Sequence, residues 1–196
     1  MNYSHRITAL AFAAWSLTAA PAAMAQTIIS NETLVTTTFV VNQKPATAQC
    51  GTSGCTAKTS MFAPISVACP AATGHTCTFH ISLDTKTSIS FPCGPGCEEW
   101  GPTGFFQFLV DGAAPTIGPT DKSGNYIIAK NVVTWSIGSP FEVRQSYPAS
   151  VLASVTNGTD NHHSIAVSVG CTDTVPEGGC QAIAHCSTMR VDVFEP

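Results

Sequence analysis

The chain has 196 residues, of which 44% are hydrophobic and only 10% are charged, and its formal net charge is −4. This weakly acidic balance argues against nucleic-acid binding, which needs a clustered basic surface, and against electrostatic docking on anionic membranes. The length is sufficient for one sizeable hydrophobic core, and no linker-like or low-complexity stretch divides the sequence.

The N-terminus has the three parts of a secretory signal peptide. His5 and Arg6 supply a short positive region, residues 7–17 form an apolar run, and Ala23-Met24-Ala25 places small residues before Gln26. A membrane anchor is disfavoured, because the run falls short of the roughly 18–20 apolar residues that a span requires. We therefore expect residues 1–25 to be removed. Residues 26–196 should form a single domain that is secreted, extracellular or periplasmic, without membrane insertion.

Apolar and polar residues alternate at period 2 along the mature chain, as in half-buried β-strands. In residues 77–83 one parity is apolar, and Thr78, His80 and Ser82 occupy the other. Residues 104–110 are apolar on both faces, which suits a strand buried between layers. The residues expected to point inward are Phe79, Ile81, Ala153, Val155, Ile165, Val167, Val191 and Val193.

Gly- and Pro-rich turn signals, among them Asp111-Gly112 and Asn157-Gly158, separate these runs. Seven to nine short strands at this spacing predict an all-β fold, namely an antiparallel two-sheet β-sandwich stabilised by disulfides. A jelly roll is the main alternative, because it produces the same alternation. The closing pattern SVLASV, SIAVSV and MRVDVF is similar to the end of many secreted β-sandwiches, including C1q-like ones, but it is too general to imply a function.

Nine cysteines, all downstream of residue 49, indicate an oxidising compartment and predict disulfides. Neighbouring cysteines lie close together in sequence, as expected when bridges close short loops. The favoured pairs are Cys50–Cys55, Cys69–Cys77, Cys93–Cys97, and Cys171 with either Cys180 or Cys186. The alternative is an inter-sheet bridge such as Cys77–Cys171, since both residues are in phase with inward-facing runs.

The odd cysteine, Cys186 or Cys180, is expected to be a buried inert thiol, with an intermolecular link as the alternative. A zinc site is disfavoured because the spacings lack CxxC knuckles.

The loop at Asp160, His162 and His163 is one candidate site. Adjacent histidines beside a carboxylate could hold a divalent metal, with His185 or Asp173 from a neighbouring loop. Consecutive strand residues point to opposite faces, so the two histidines converge only if the loop bends. The alternative is a solvated loop with local hydrogen bonds, because an isolated histidine pair lacks the spacing that makes HExxH specific.

Glu98, Glu99 and Trp100, which follow the short Cys93–Cys97 loop, are the second candidate site. An indole face beside two carboxylates could stack on a sugar and accept its hydroxyl hydrogen bonds. The alternative is that Trp100 closes one end of the sandwich while the glutamates stay in water. Glycoside hydrolysis is disfavoured, because it needs two carboxylates on opposite sides of the scissile bond.

No motif identifies a reaction or a phosphate-binding loop, so no catalytic residue and no cofactor are predicted. The disulfide-rich β fold favours a non-enzymatic binding or adhesion module, with an extracellular glycan or protein as its partner and no nucleic acid. The second hypothesis is a structural component of the envelope or extracellular matrix, assembled through the odd cysteine or an exposed strand edge. The third is a secreted hydrolase.

We predict that protein expressed with its own N-terminus is cleaved before Gln26. Intact-mass spectrometry should show loss of residues 1–25 and about eight hydrogens fewer than in the reduced chain, two for each of four disulfides. A retained N-terminus or fully reduced thiols would contradict the prediction.

Overall fold

The computed structural model describes residues 32–51, 54–91, 103–130, 141–173 and 179–196. These ranges contain ten β-strands, and none of their residues belongs to a helix that could cross a membrane. The strands are β1 Thr33–Asn42, β2 Ala46–Cys50, β3 Thr56–Ser60, β4 Ile65–Ala68, β5 Thr76–Phe91, β6 Thr103–Val110, β7 Asn125–Lys130, β8 Phe141–Thr156, β9 His162–Thr172 and β10 Cys180–Glu195.

The strands form two antiparallel sheets. Sheet A has the order β1-β10-β5-β8, with β2 also on β10, and sheet B has the order β3-β9-β6-β7, with β4 also on β9. The first half of the chain pairs with the second half in reverse: β1 and β2 with β10, β3 and β4 with β9, β5 with β8, and β6 with β7. This nested order is that of a jelly roll, in which two antiparallel sheets face each other. The predicted antiparallel sandwich is confirmed, and its topology is that of the jelly-roll alternative.

The strands differ from the predicted ones in number and in length. There are ten in the described ranges, and β5, β8 and β10 each have 16 residues. The inward side chains of β2 are Ala46, Ala48 and Cys50, which are small and give a weak hydrophobic pattern. In β5 the inward apolar side chains are interrupted by Thr85 and Thr87, which are buried, and resume at Ile89 and Phe91. Threonine suits a strand, so β5 continues through this interruption.

The core lies between the two sheets. Phe79 of sheet A and Phe106 and Phe108 of sheet B are fully buried there. Seven of the eight side chains predicted to point inward are buried, and Val155 packs against the core half-buried. Burial of each large side chain contributes about 1.5–3 kcal/mol, so this interface is the main favourable term in the fold.

Among the described residues, three disulfides each span a connection between a strand of one sheet and the next strand in the other sheet. Cys50–Cys55 spans the β2–β3 connection, Cys69–Cys77 the β4–β5 connection, and Cys171–Cys180 the β9–β10 connection. Their Cα–Cα distances are 6.0, 5.9 and 6.0 Å. The pairing of sequence neighbours is therefore confirmed for these six cysteines.

Cys77 and Cys186 differ from the predicted arrangement. The alternative Cys77–Cys171 bridge is wrong, because each residue is bonded to a sequence neighbour across its own connection. The free cysteine in the described part of the chain is Cys186, which is exposed and not buried. It lies where the β10–β5 register shifts, between Ala184 and Ser187. Cys93 and Cys97 fall outside the described residues.

The β8–β9 connection crosses between the sheets without a cysteine and is held by a polar cluster. Asn157, 3% exposed, donates its amide N–H to the carbonyl of Cys69 at 3.0 Å. Its Oδ1 lies 3.0 Å from Nε2 of His163, whose Nδ1 lies 2.7 Å from Oδ2 of Asp111. Asp111 and Gly112 both have positive φ, 52° and 77°, as the central residues of a type I′ turn require. The predicted Asp111-Gly112 turn is confirmed, and it presents the carboxylate to His163.

We predict that the double variant Cys69→Ala/Cys77→Ala unfolds more easily than the wild type. Loss of the loop constraint in the unfolded state should lower the free energy of unfolding by about 2–3 kcal/mol, measured by urea denaturation. The control is Cys186→Ser, whose exposed thiol forms no bridge and whose substitution should change stability by less than about 0.5 kcal/mol. Equal stability of the double variant and the wild type would contradict the role assigned to this bridge.

Candidate functional site

The outer face of sheet A carries two rows of side chains that run across the strands, and we call them the polar rows. In the first row Thr37, Asp192 and His80 are aligned across β1, β10 and β5. In the second, Phe39, Arg190, Ser82 and Ser150 are aligned across β1, β10, β5 and β8. Their neighbours along each strand point into the core, so alternation alone puts these residues on the outside.

Asp192 is the centre of the polar rows. Asp192 is only 4% exposed although it lies on the outer face. Its Oδ1 accepts hydrogen bonds from Thr37 Oγ1 at 2.6 Å and from Arg190 Nε at 2.9 Å, and its Oδ2 lies 3.8 Å from His80 Nδ1. The guanidinium of Arg190 also lies over the Phe39 ring, 5.6 Å from its centroid, in a cation–π contact.

His80 joins this carboxylate to two serine hydroxyls. Its Nε2 lies 2.6 Å from Ser150 Oγ and 3.4 Å from Ser82 Oγ. Partial burial lowers the pKa of His80 below its ordinary value; Asp192 opposes this shift and the positive charge of Arg190 adds to it. The imidazole is therefore neutral near pH 7 and, with its proton on Nδ1, can accept the hydroxyl proton of Ser150 at Nε2.

This arrangement has two chemical capacities. It offers donors and acceptors side by side on an open surface, with the charges of Arg190 and Asp192 cancelling each other. It also has the order of a serine–histidine–aspartate array, Ser150–His80–Asp192, with the serine on Nε2 and the carboxylate on the Nδ1 side. The 3.8 Å separation on the Nδ1 side is longer than a hydrogen bond.

Sequence reasoning did not find the polar rows. It placed Thr78, His80 and Ser82 on the outward parity of their strand, but Ser150 and Asp192 are 70 and 112 residues from His80 along the chain. The one signal in the sequence was polar residues on the outward parity of several strands. Which outward residues become neighbours depends on strand order and register, and no local pattern encodes that order.

Of the predicted metal-ligating residues, His162 and His163 lie on opposite faces of β9, and Asp160 lies in the connection before it. His163 points inward, is 6% exposed, and has both ring nitrogens close to oxygen atoms of Asp111 and Asn157. His162 points outward, and its backbone N–H donates to Asp160 Oδ1 at 2.9 Å, which holds the pKa of Asp160 below its ordinary value. His185 instead lies 3.2 Å from Ser88 Oγ through its Nε2. No three His, Cys, Asp or Glu side chains in the described ranges are grouped to hold a metal.

The predicted sugar-binding residues Glu98, Glu99 and Trp100 lie outside the described residues, in the segment that connects β5 to β6. Their role stays a prediction.

No protein-family model and no curated protein matches this chain. Among solved structures, those of infectious bursal disease virus, Gx and Gt strains, are similar at 11% and 10% identity, with TM-scores of 0.22 and 0.23. Each alignment covers 83% of this chain and 41% of the viral chain, so this chain spans less than half of those proteins. Similarity this weak carries no conclusion about function.

We predict that His80 makes stability depend on pH. Because its pKa is lower in the folded chain than the ordinary value of about 6.5, the unfolded chain takes up the proton first as the pH falls. The stabilising contribution of neutral His80 is thus complete above about pH 6.5 and is lost as the pH falls from there through the lowered pKa.

NMR titration of the His80 ring should show this lowered pKa, with Arg190→Gln raising it and Asp192→Asn lowering it further. His80→Gln should reduce the loss of melting temperature between pH 7 and pH 5. An identical pH dependence in His80→Gln and the wild type would contradict the prediction.

Proposed function

We propose that this protein is an exported, non-enzymatic binding module that uses the polar rows to bind a hydroxyl-rich ligand, with carbohydrate as the ligand class. The observation that supports the proposal most directly is the composition of the rows. A cation, a carboxylate, a neutral imidazole and two serine hydroxyls lie together on an open sheet face, apart from the apolar core.

The electrostatics of the polar rows favour an uncharged ligand. Arg190 and Asp192 are bonded to each other at 2.9 Å, so their combined field attracts neither anions nor cations strongly. A sugar hydroxyl both donates and accepts, and so can bond to the guanidinium of Arg190 and to the hydroxyl of Ser150, both of which are exposed. The cross-strand bonds already hold the side chains in place, which reduces the ordering cost of binding.

The setting fits the same proposal. The three disulfides among the described residues are consistent with an oxidising environment, and residues 1–25 have the pattern of an export signal, so we propose that the module acts outside the cytoplasm. A rigid disulfide-bonded sandwich that displays a polar face suits adhesion or capture of extracellular glycan.

A secreted hydrolase is the second candidate function, and the Ser150–His80–Asp192 order favours it. In this scheme Ser150 Oγ attacks an ester carbonyl, His80 Nε2 takes its proton, and the same proton leaves with the departing alcohol. Water then cleaves the acyl–serine bond by the same route, with His80 as the general base.

We predict that Arg190→Ala and Ser150→Ala each weaken binding in a glycan and polysaccharide screen of disulfide-intact protein. Loss of a hydrogen bond from a charged group should cost about tenfold in affinity, and loss of the serine bond somewhat less. The control is Ser146→Ala, which removes an exposed hydroxyl from the same strand and face. Trp100→Ala tests the predicted loop in parallel.

Two outcomes separate the candidates. Absence of glycan binding, or binding that both polar-row variants retain in full, contradicts the binding proposal. A fluorophosphonate that labels Ser150 in the wild type but labels no residue in Ser150→Ala, and labels His80→Gln far more slowly, would favour the hydrolase.

A further inference from the structure

Strand β1 is an edge strand without the usual protection of an edge. Among the described residues its backbone pairs only with β10, which leaves the other side open. The opposite edge of sheet A, β8, is covered at Leu152 by two backbone hydrogen bonds with Ile117, 3.0 and 3.1 Å long. Natural edge strands usually carry charges or proline that discourage further pairing, and β1 (TLVTTTFVVN) has neither.

The side chains of β1 are unusually apolar for an exposed element. Of the five large hydrophobic side chains exposed in the described ranges, four belong to β1: Leu34, Val35, Phe39 and Val41. Phe39 is 63% exposed and Val41 is 62% exposed. An open cleft of about 560 Å³ runs beside the strand, between Val40–Asn42 and the β3–β4 connection at Met61 and Phe62. Several exposed apolar side chains on one open edge are typical of an interaction surface.

We propose that β1 pairs in antiparallel fashion with β1 of a second copy of this chain, so that sheet A continues across a two-fold axis near Phe39. The regular part of the strand, Thr36–Asn42, follows the register shift between Leu34 and Thr36 and is centred on Phe39. Self-pairing about this centre places Phe39 beside Phe39 of the second copy and Val41 opposite Thr37. Aromatic and β-branched cross-strand pairs of this kind are stabilising.

The charges next to β1 favour a second copy in the antiparallel orientation. The strand itself is uncharged, so an equally uncharged apolar strand, such as β1 of another copy, matches its open edge. The carboxylate of Glu32, which precedes the strand, accepts a hydrogen bond from Thr78 of β5 at 2.8 Å and so does not face this edge, whereas Lys44 follows the strand and is exposed. Parallel pairing would bring the two Lys44 charges together, and antiparallel pairing holds them at opposite ends of the interface. A two-fold axis also closes the assembly, since each copy uses its only β1.

In this dimer the polar rows of both copies would lie on the same side of the extended sheet. A two-fold axis perpendicular to sheet A puts the outer faces of both copies on the same side of one continuous sheet. If the proposed function holds, each dimer presents two sets of polar rows in one plane and gains avidity for a polymeric ligand.

The test measures the mass of the full mature chain by light scattering after size-exclusion chromatography, over a concentration series. We expect a monomer–dimer equilibrium for the wild type. Phe39→Glu and Phe39→Lys should each weaken association by at least about tenfold, because like charges then face each other at the axis. An equimolar mixture of the two variants should associate again, since opposite charges meet there.

The matched control is Ile127→Glu, which changes the fifth exposed hydrophobic residue, 45% exposed on β7, and should leave association unchanged. Far-UV circular dichroism and intact mass check that each variant is folded with its disulfides formed. The proposal is overturned if the wild type stays monomeric at every soluble concentration, if Phe39→Glu associates like the wild type, or if the mixture of variants remains monomeric. None of these readouts depends on glycan binding.

Discussion

Burial of the two inner sheet faces against each other is the interaction on which the rest of this structure depends. Phe79, Ile81 and Val191 of sheet A and Phe106 and Val167 of sheet B are each at most 1% exposed and belong to one buried hydrophobic cluster. Neither sheet could keep these side chains from water alone. The nested strand pairing forms both sheets, each with one apolar inner face. The packing of these two inner faces determines which side of each strand faces solvent.

The connections between sheets are reinforced because they are the points at which the two faces could separate. In the described part of the chain three of them carry a disulfide, and the β8–β9 connection carries the hydrogen-bonded Asn157–His163–Asp111 cluster, in which Asn157 and His163 are buried. Each of these links lies where a strand of one sheet ends and the next strand, in the other sheet, begins. A bridge between two cysteines that are close in sequence can therefore also link the two sheets, because the chain crosses from one sheet to the other between them.

The residues on the outer face of sheet A do not pack in the core, so this face can carry the side chains of the polar rows. A buried carboxylate on an outer face is costly unless it is bonded, and Asp192 is bonded to Thr37 and Arg190 and faces His80. The same network that satisfies Asp192 positions Ser150 through the imidazole. Stability and the proposed ligand binding would therefore depend on one set of contacts, and substitutions at Asp192 would affect both.

The sequence by itself determined the antiparallel sandwich, the inward side of the apolar strands and the neighbour disulfides, because alternation, turn residues and short spacings act over a few residues. It missed β2, whose inward Ala46 and Ala48 are too small to give a pattern, and the exposure of Cys186 at a register shift. Only the tertiary structure decided the strand order, and with it the meeting of His80, Ser150 and Asp192 and the open edge at β1. Register between distant strands is set by the packing of the whole chain, which no short window of sequence contains.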